Sequence, residues 1–310
     1  MIGRILNKVR RTLNGPEPWE GIPTMLHPNE LRNLQQRAAR VQGYGQVVDL
    51  GTWLGGSTSA LASGLAKATK AVDAGVRVHA FDQFLVDEFS KRNKKIPQIQ
   101  SLEIGDSFLP VFRQHLSKWS SLVEIHEGDA GSKKWTHGPI ELMHIDVMKS
   151  WELAEHVHAE FFPALIPGKS VIIHQDYAHY WTAWIHPLMF RLRDHFEPLG
   201  LVEDSTSFMF RLKTAIPPEL LRPRNGAAAF TRAEVDEAFE WSRNLISARS
   251  MHRSCVDAAW SMYYFHLGDT VRSLDIYQKA KVEEDQRLKE IPGTRRSELH
   301  QMERLLGIAG

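Results

Sequence analysis

The chain has 310 residues, of which 43% are hydrophobic and 24% are charged, as is typical of a globular protein with a large core. Its 38 basic and 37 acidic residues leave a net charge of +1, which excludes a strong overall attraction to nucleic acid. A single cysteine, Cys255, excludes an internal disulfide framework and any multi-cysteine metal site. This usage fits a reducing compartment, and we expect the protein to be cytoplasmic. No apolar stretch reaches the roughly 18 residues that a membrane-spanning helix requires.

Residues 1–27 are predicted to form an N-terminal helix and a linker. In residues 1–13 (MIGRILNKVRRTL), apolar side chains recur at near-helical spacing, with basic side chains between them. One glycine and two prolines within residues 14–18 then end this helix. One interpretation is a weak contact with a membrane surface. The other is an amphipathic helix that packs on its own domain or on a partner subunit.

Residues 28–214 alternate between predicted helices and strands. After a first helix that ends near residue 41, short apolar runs typical of strands covered on both faces lie at 46–50, 76–81, 121–126, 140–145 and 170–174. The intervening segments are long enough for helices, at 57–72, 106–119, 150–165 and 181–196. This alternation predicts an α/β fold with a doubly wound, mostly parallel, Rossmann-like sheet. Residues 199–203 and 208–213 predict a closing antiparallel hairpin.

Residues 215–310 have a different character and are predicted to be a helical C-terminal extension. Helices are expected at 231–248, 255–267 and from 270 to about 289. The stretch from Trp260 to Ala280 resembles one tetratricopeptide helical hairpin, a unit that needs neighbours to bury its faces. The alternative is an extension that packs on the main domain or forms a homodimer.

The segment from Val47 to Ser57 (VVDLGTWLGGS) places a glycine-rich turn between a buried strand and a helix. Glycine lets the backbone approach a ligand closely, and a helix N-terminus offers unpaired N–H groups. The glycine spacing differs from the G-x-G-x-x-G fingerprint of dinucleotide-binding proteins. The pattern D-x-G-x-x-x-G-x-S instead resembles the first motif of class I S-adenosylmethionine-dependent methyltransferases. This resemblance implies that the aminoacyl part of the cofactor is held by Asp49, Gly51, Thr52, Trp53, Gly55 and Ser57.

Two further acids follow predicted strands, as the same resemblance requires. Asp82 comes directly after strand 76–81, where a carboxylate can accept hydrogen bonds from both ribose hydroxyls of the cofactor, with Gln83 beside it. Asp129 follows strand 121–126 and is similar to the position that contacts the adenine amino group, with Ala130 beside it. Ligands of open α/β sheets bind outside the carboxyl ends of the strands, so we expect these residues to contribute to one cofactor site.

The residues at the ends of the fourth and fifth predicted strands narrow the resemblance to one group of methyltransferases. Residues 143–146 (MHID) and 171–177 (VIIHQDY) look like the corresponding segments of small-molecule O-methyltransferases, in the macrocin and catechol O-methyltransferase-like groups. The resemblance implies that Asp146 and Asp176 hold a divalent metal such as Mg²⁺, and that Asp146 also borders the cofactor. The family pattern has a second acid or amide beside the later aspartate, whereas this sequence has Gln175 before Asp176 and Tyr177 after it. Gln175 could supply an oxygen ligand to a hard cation.

A repeated His-x-Asp pattern, at 144–146 and 174–176, lies on neighbouring predicted strands. Residues two apart in a strand face the same side, so each histidine is expected one layer beneath its aspartate. His174 is a candidate general base tuned by Asp176, and His179 is the second candidate. An iron site of two histidines and one carboxylate, or neutral histidines buried under the cleft, are the alternatives. The aromatic segment 177–186 is either the wall of an acceptor pocket or the start of a buried helix.

These patterns predict a transferase: a methyltransferase (class 2.1.1) that uses S-adenosylmethionine to methylate a hydroxyl group of a small molecule, such as a sugar or a phenolic natural product. We assign the catalytic roles to His174, Asp176 and His179. One alternative is an NAD(P)-dependent oxidoreductase on the same fold, which the glycine spacing disfavours. The other is a non-catalytic interaction protein that uses its helical C-terminal extension to bind a partner.

Overall fold

The computed structural model of the chain describes residues 16–92, 96–291 and 295–308. The helix predicted at residues 1–13 lies outside these ranges. The chain divides into two compact units, Met1–Gly128 and Asp129–Gly310. The predicted organisation into segments 1–27, 28–214 and 215–310 stays a prediction. Within the described ranges, no helix is both long enough and apolar enough to cross a membrane.

The first unit contains three parallel strands in the order β3-β2-β1. They are β1 (Gln46–Leu50), β2 (Val78–Asp82) and β3 (Val123–Glu127). Its α-helices are α1 (Pro28–Ala38), α2 (Gly56–Leu65), α3 (Thr69–Asp73), α4 (Glu88–Arg92), α5 (Pro97–Gln100) and α6 (Leu109–His115). A 3₁₀ segment, Ser117–Leu122, leads into β3. All three strands predicted for this part of the chain are therefore confirmed.

Helix α2 follows the glycine-rich turn and is buried along its whole length. Its sequence, GSTSALASGL, contains only small residues apart from two leucines. A Cβ atom added to Gly64 would overlap the backbone carbonyl oxygen of Gln35 on α1. Only glycine allows this approach of two helix backbones, and the close packing fixes α2, and with it the turn, against α1.

The second unit contains strands in the order β4-β5-β7-β6. Strands β4 and β5 are parallel, and β7 is antiparallel to both of its neighbours, β5 and β6. They are β4 (Ile140–Ile145), β5 (Val171–His174), β6 (Phe196–Leu201) and β7 (Phe208–Leu212). Its helices are α7 (Trp151–Glu160), α8 (Ile185–Arg191), α9 (Pro218–Leu221), α10 (Arg232–Asn244), α11 (Met251–His266), α12 (Thr270–Glu290) and α13 (Leu299–Leu305). The seven strands of the two units thus have the mostly parallel, Rossmann-like α/β character that was predicted, including the closing antiparallel hairpin.

Several helices are shorter than predicted, and prolines account for two of the differences. Helix α7 ends at Glu160, and the 3₁₀ segment that follows contains Pro163. Helix α8 begins only at Ile185, two residues before Pro187. Proline lacks an N–H and its ring clashes with the preceding turn, so an α-helix accepts it only within its first turn.

The C-terminal helices pack on the strand-bearing part of the second unit. On α10, the ring of Phe239 lies 4.8 Å from the ring of His186 on α8. On α11, the ring of Tyr263 meets the edge of Trp151, on α7, at 6.1 Å. Helix α10 begins with a capping box in which Thr231 and Glu234 satisfy each other's backbone N–H groups. Helices α10 and α11 therefore pack on α8 and α7. This packing agrees with the interpretation of the extension as helices that cover the strand-bearing part of the chain.

Candidate cofactor and catalytic residues

Asp49 organises the glycine-rich turn of the first unit. Its side chain is fully buried near the end of β1. Its Oδ2 atom accepts hydrogen bonds from the hydroxyls of Ser57 at 2.9 Å and Thr58 at 2.7 Å, both on the first turn of α2. A carboxylate is favourable near the positive end of a helix dipole. The acid at the strand end therefore joins β1 to the start of α2.

The turn itself has a backbone that ordinary residues avoid. Gly51, Trp53 and Gly55 all have positive φ angles, of 85°, 44° and 96°. A Cβ atom on Gly55 would also overlap the side chain of Leu116. Trp53 is not a glycine, and a non-glycine residue in this region carries strain of the kind found in ligand-binding turns.

Thr52 lies in the same turn and is only 2% exposed. Its hydroxyl has no hydrogen-bond partner among the residues that the structure describes. Buried hydroxyls are normally hydrogen-bonded, so an unsatisfied one calls for an explanation. A ligand bound along the turn would provide the missing partner.

Asp82, at the end of β2, lies directly beside this turn. Its Oδ2 accepts the backbone N–H of Trp53 and its Oδ1 accepts that of Phe84, both at 2.8 Å. Burial raises the pKa of Asp82 above its usual value; these N–H groups lower it, and the charge of Asp49 raises it further. Gln83, the next residue, is exposed. The first unit thus brings the predicted ribose ligand and the predicted turn together.

Asp129 and Ala130 open the second unit. The Asp129 side chain is exposed, and its Oδ1 accepts the backbone N–H of Gly131 at 2.9 Å. It thereby caps the short 3₁₀ segment Ala130–Ser132, in which Ala130 is buried. Such a cap holds the acid in one orientation at the beginning of the unit.

Asp146 and Asp176 follow β4 and β5, whose last residues, Ile145 and His174, are register partners. The structure brings the two carboxylates together through a residue that the sequence analysis missed. Lys149 Nζ donates a hydrogen bond to Asp146 Oδ1 at 2.7 Å and another to Asp176 Oδ2. The sequence signal that could have identified this residue is the spacing, since Lys149 follows Asp146 by three residues.

The pKa shifts of this cluster follow from its partial burial. Burial raises the pKa of Asp146 to about 6, with Lys149 opposing the rise and Asp176 adding to it. Burial alone would lower the pKa of Lys149, but the two carboxylates raise it above its usual value. The lysine is therefore a protonated cation shared by two acids.

Two carboxylates at neighbouring strand ends have the oxygen donors that Mg²⁺ prefers. In this arrangement, however, the ammonium group of Lys149 already lies between them. A divalent ion could join Asp146 to Asp176 only if Lys149 were displaced. The ammonium group of Lys149 therefore occupies the place that a metal ion would take.

His174 lies inside the second unit, away from solvent. It is fully buried, and neither ring nitrogen has a hydrogen-bond partner among the described residues. Its ring lies near the rings of Tyr177 and Phe210. Burial lowers its pKa well below the usual value, so the imidazole is neutral. This environment agrees with the buried-histidine alternative; His144 is also buried, at 1% exposure.

His179 is the more accessible of the two candidate bases, with about a third of its side chain exposed. Its Nε2 lies 3.5 Å from Glu298 Oε1, and its Nδ1 accepts the backbone N–H of Trp181 at 3.3 Å. Glu298 Oε2 also accepts the backbone N–H of Tyr180 at 2.8 Å. Burial raises the pKa of Glu298, and the charge of His179 opposes the rise. Sequence reasoning missed Glu298, because nothing near it marks a site.

The aromatic segment 177–186 was expected to be either the wall of an acceptor pocket or the start of a buried helix, and its residues fit both descriptions in part. Tyr177 and Trp184 are buried, and Trp184 donates its indole N–H to the Met148 carbonyl at 2.9 Å. Trp181 is 43% exposed and meets the edge of the His266 ring at 5.3 Å. One part of the segment therefore belongs to the core, while Trp181, next to His179 and Tyr180, is available to a ligand.

No protein-family model matches the chain, and no curated protein does either. Among solved structures, the O-methyltransferase NovP shares 15% identity at a TM-score of 0.47, with 62% of this chain and 82% of NovP covered. The O-methyltransferase of Bacillus cereus in complex with SAH shares 15% identity at a TM-score of 0.42, covering 69% and 100%. The SAH-bound Podospora anserina methyltransferase PaMTH1 shares 14% identity at 0.44, covering 69% and 95%. The chain is similar in structure to these three proteins, each of which is named a methyltransferase.

Proposed function

We propose that the protein is an S-adenosylmethionine-dependent methyltransferase that methylates a hydroxyl group of a small molecule. The observation that carries this proposal is the position of Asp82 beside the turn that contains Trp53. The carboxylate of Asp82 accepts the backbone N–H groups of Trp53 and Phe84, and the N–H of Thr52 makes a smaller contribution. Its remaining acceptor capacity can serve the hydroxyls of a ribose. The unpartnered hydroxyl of Thr52 supplies a further polar contact in the turn.

The start of α2 argues against the oxidoreductase alternative. A dinucleotide would place its pyrophosphate at this helix N-terminus. Here the carboxylate of Asp49 already accepts hydrogen bonds from the first turn of α2. The preceding chain also covers this turn: Ser59 Oγ donates to the Pro18 carbonyl at 2.8 Å, and a Cβ on Gly56 would lie 2.8 Å from Thr24. A pyrophosphate placed directly on this helix N-terminus would be repelled by Asp49 and would meet the preceding chain.

The residues that we assign to the acceptor lie in the second unit. The acceptor oxygen attacks the methyl carbon, the carbon–sulfur bond breaks, and its electron pair stays on sulfur to give S-adenosylhomocysteine. The hydroxyl proton passes to Nδ1 of His179, which releases its long hydrogen bond from the Trp181 N–H, while the protonated Nε2 faces the carboxylate of Glu298. That carboxylate stabilises the imidazolium ion that forms. His174 has no direct part in this scheme, because its ring is buried.

The charge of Lys149 takes the role that a metal would otherwise have. Its ammonium group, oriented by Asp146 and Asp176, stabilises negative charge that develops on the acceptor oxygen. Asp176 therefore acts as a positioning residue, and transfer is expected without Mg²⁺. We also propose a small-molecule acceptor in the cytoplasm, which the balanced charge and the buried free thiol of Cys255 support. A homodimer stays a prediction.

Isothermal titration of the protein with S-adenosylhomocysteine, with and without Mg²⁺, tests this function. We expect micromolar binding that Mg²⁺ does not change. Asp82→Asn should weaken binding at least tenfold, because an amide cannot accept two hydroxyl protons as a carboxylate does. Asp73→Asn, at an exposed position on α3, is the matched control and should bind like the wild type. Binding of NADH in place of S-adenosylhomocysteine would establish the oxidoreductase, and binding of neither would favour the interaction protein.

A further inference from the structure

Two histidines and a glutamate share one face of the first unit's sheet. His79 on β2 is the register partner of Glu124 on β3, and Phe81 is the partner of His126. Side chains two residues apart in a strand lie on the same face, so these four residues form one patch. The alternating residues of the same strands, Ala80 and Ile125, pack into the apolar core on the opposite face.

The polar atoms of this patch converge on one point. His79 Nδ1 lies 2.9 Å from His126 Nε2. The Glu124 carboxylate places Oε2 3.8 Å from His79 Nδ1 and Oε1 3.7 Å from His126 Nε2. Ligand atoms around a tetrahedral Zn²⁺, each about 2.0–2.1 Å from the ion, lie about 3.3 Å apart. The observed distances lie on both sides of that value, so small side-chain adjustments would complete a coordination shell.

A second residue fixes the tautomer of His79. Gln46 Oε1 accepts the backbone N–H of Arg77 at 2.8 Å, which identifies this atom as the amide oxygen. The same oxygen lies 3.3 Å from His79 Nε2, so this nitrogen must carry the proton. In the neutral ring, His79 Nδ1 therefore has its lone pair directed towards His126. Metal-binding histidines characteristically donate their other N–H to such an outer partner.

The patch is rigid on one side and open on the other. His79 is buried at 2% exposure, and the His126 ring stacks on Phe81 with centroids 4.2 Å apart and planes 12° from parallel. Glu124, in contrast, is about half exposed. Ligands held by strands are placed more accurately than ligands on loops. Water therefore has access to the patch from the side of Glu124.

We propose that His79, Glu124 and His126 bind a divalent transition-metal ion of the Zn²⁺ type, with water as a further ligand. Two imidazoles and one carboxylate favour such an ion, whereas Mg²⁺ and Ca²⁺ prefer oxygen ligands throughout. The alternative is a plain N–H···N hydrogen bond between the two rings. This site is independent of the proposed cofactor and of the Asp146 and Asp176 cluster.

Titration of chelator-treated, full-length protein with ZnCl₂, followed by isothermal calorimetry and by metal analysis after desalting, tests the site. We expect one Zn²⁺ per chain with a dissociation constant in the micromolar range or below, and no comparable binding of MgCl₂. Glu124→Gln and His126→Ala change partly exposed positions, and each should weaken Zn²⁺ binding at least tenfold. Glu127→Gln, on the same strand, and His195→Ala are the matched controls and should bind as the wild type does.

Circular dichroism verifies that each variant is folded. The proposal is overturned if the wild type binds no Zn²⁺ below millimolar concentration, because the rings then form only a hydrogen bond. It is equally overturned if Glu124→Gln and His126→Ala retain wild-type stoichiometry and affinity, because the ion then binds elsewhere. Neither result depends on methyl transfer or on S-adenosylhomocysteine binding, so failure here and failure of the proposed function are distinguishable.

Discussion

The phenolic hydroxyl of Tyr177 donates a hydrogen bond to Ser242 Oγ at 2.9 Å, with both side chains fully buried. Tyr177 comes directly after Asp176, and Ser242 lies on α10, in the helical C-terminal part of the chain. The ring of Tyr177 also packs on Phe208 at 4.9 Å. Helix α10 therefore holds the backbone next to the acid that binds Lys149.

Removal of this hydrogen bond should destabilise the protein measurably. We expect Tyr177→Phe to lower the free energy of unfolding by about 1–3 kcal/mol, because the Ser242 hydroxyl loses its donor in a buried place. Urea denaturation measures the change. In a double-mutant cycle with Ser242→Ala, the double variant should lose less than the sum of the single losses. Strict additivity would mean that the two hydroxyls do not interact.

The conformation of the glycine-rich turn can be tested with two glycines of the first unit. Gly55 and Gly75 have similar positive φ angles, of 96° and 81°, but a Cβ at Gly55 would overlap Leu116, whereas nothing lies within 4 Å of a Cβ at Gly75. Gly75→Ala should cost about 1–2 kcal/mol for backbone strain alone. Gly55→Ala should cost at least about 1 kcal/mol more, because of overpacking. Equal losses in thermal or urea unfolding would show that the turn relaxes freely.

Buried histidines should make the protein sensitive to mild acid. Burial lowers the pKa of both His158 and His186 to about 3, and that of His174 well below its usual value. Below pH about 6.5 the unfolded chain binds protons that the folded chain does not. These three histidines therefore lower the stability as the pH drops from 6.5 towards 4, whereas Asp146 and Asp257, whose pKa values burial raises to about 6 and about 7, contribute in the opposite direction. Each such residue contributes up to about 1.4 kcal/mol per pH unit.

Variant His186→Leu isolates one of these contributions. Its free energy of unfolding should fall less steeply with pH than that of the wild type, by at most about 1.4 kcal/mol per pH unit. Urea denaturation at several pH values between 7.5 and 5 measures the slope. His195→Gln, at a partly exposed position, is the comparison variant. An unaltered slope in His186→Leu would mean that this histidine binds protons equally in the folded and unfolded states.

Lys149→Met tests the role of the ammonium group. We expect affinity for S-adenosylhomocysteine to stay within threefold, while methyl transfer to any acceptor found by screening falls at least tenfold. The reason is that the positive charge beside the developing oxyanion is lost. Lys213→Met, at an exposed position, is the control. Transfer by Lys149→Met at the wild-type rate without Mg²⁺ would contradict the proposed role of the ammonium group, and a Mg²⁺ requirement of the wild type would contradict the metal-independent scheme.

Sequence patterns identified the strands well and the side-chain contacts poorly, for a physical reason. The bounds of β1 and β4 were predicted to the residue, because each is a short apolar run that the fold buries. The contact of Lys149 with Asp176 spans 27 residues, and that of Glu298 with Tyr180 spans 118. Such pairs arise only when the chain has folded. The convergence of His79 and His126, 47 residues apart, is likewise invisible in a local pattern.

The contact between Glu298 and Tyr180 also has a consequence for the time course of synthesis. The Tyr180 N–H and the His179 ring receive their carboxylate partner only after 118 further residues have been translated. At about 5–20 residues per second, this delay is on the order of ten seconds. The seven strands of the described residues precede Glu298 in the chain, so a nascent polypeptide can form their backbone pairings well before this loop is complete. The loop that we assign to proton transfer would then be among the last parts of the growing chain to form.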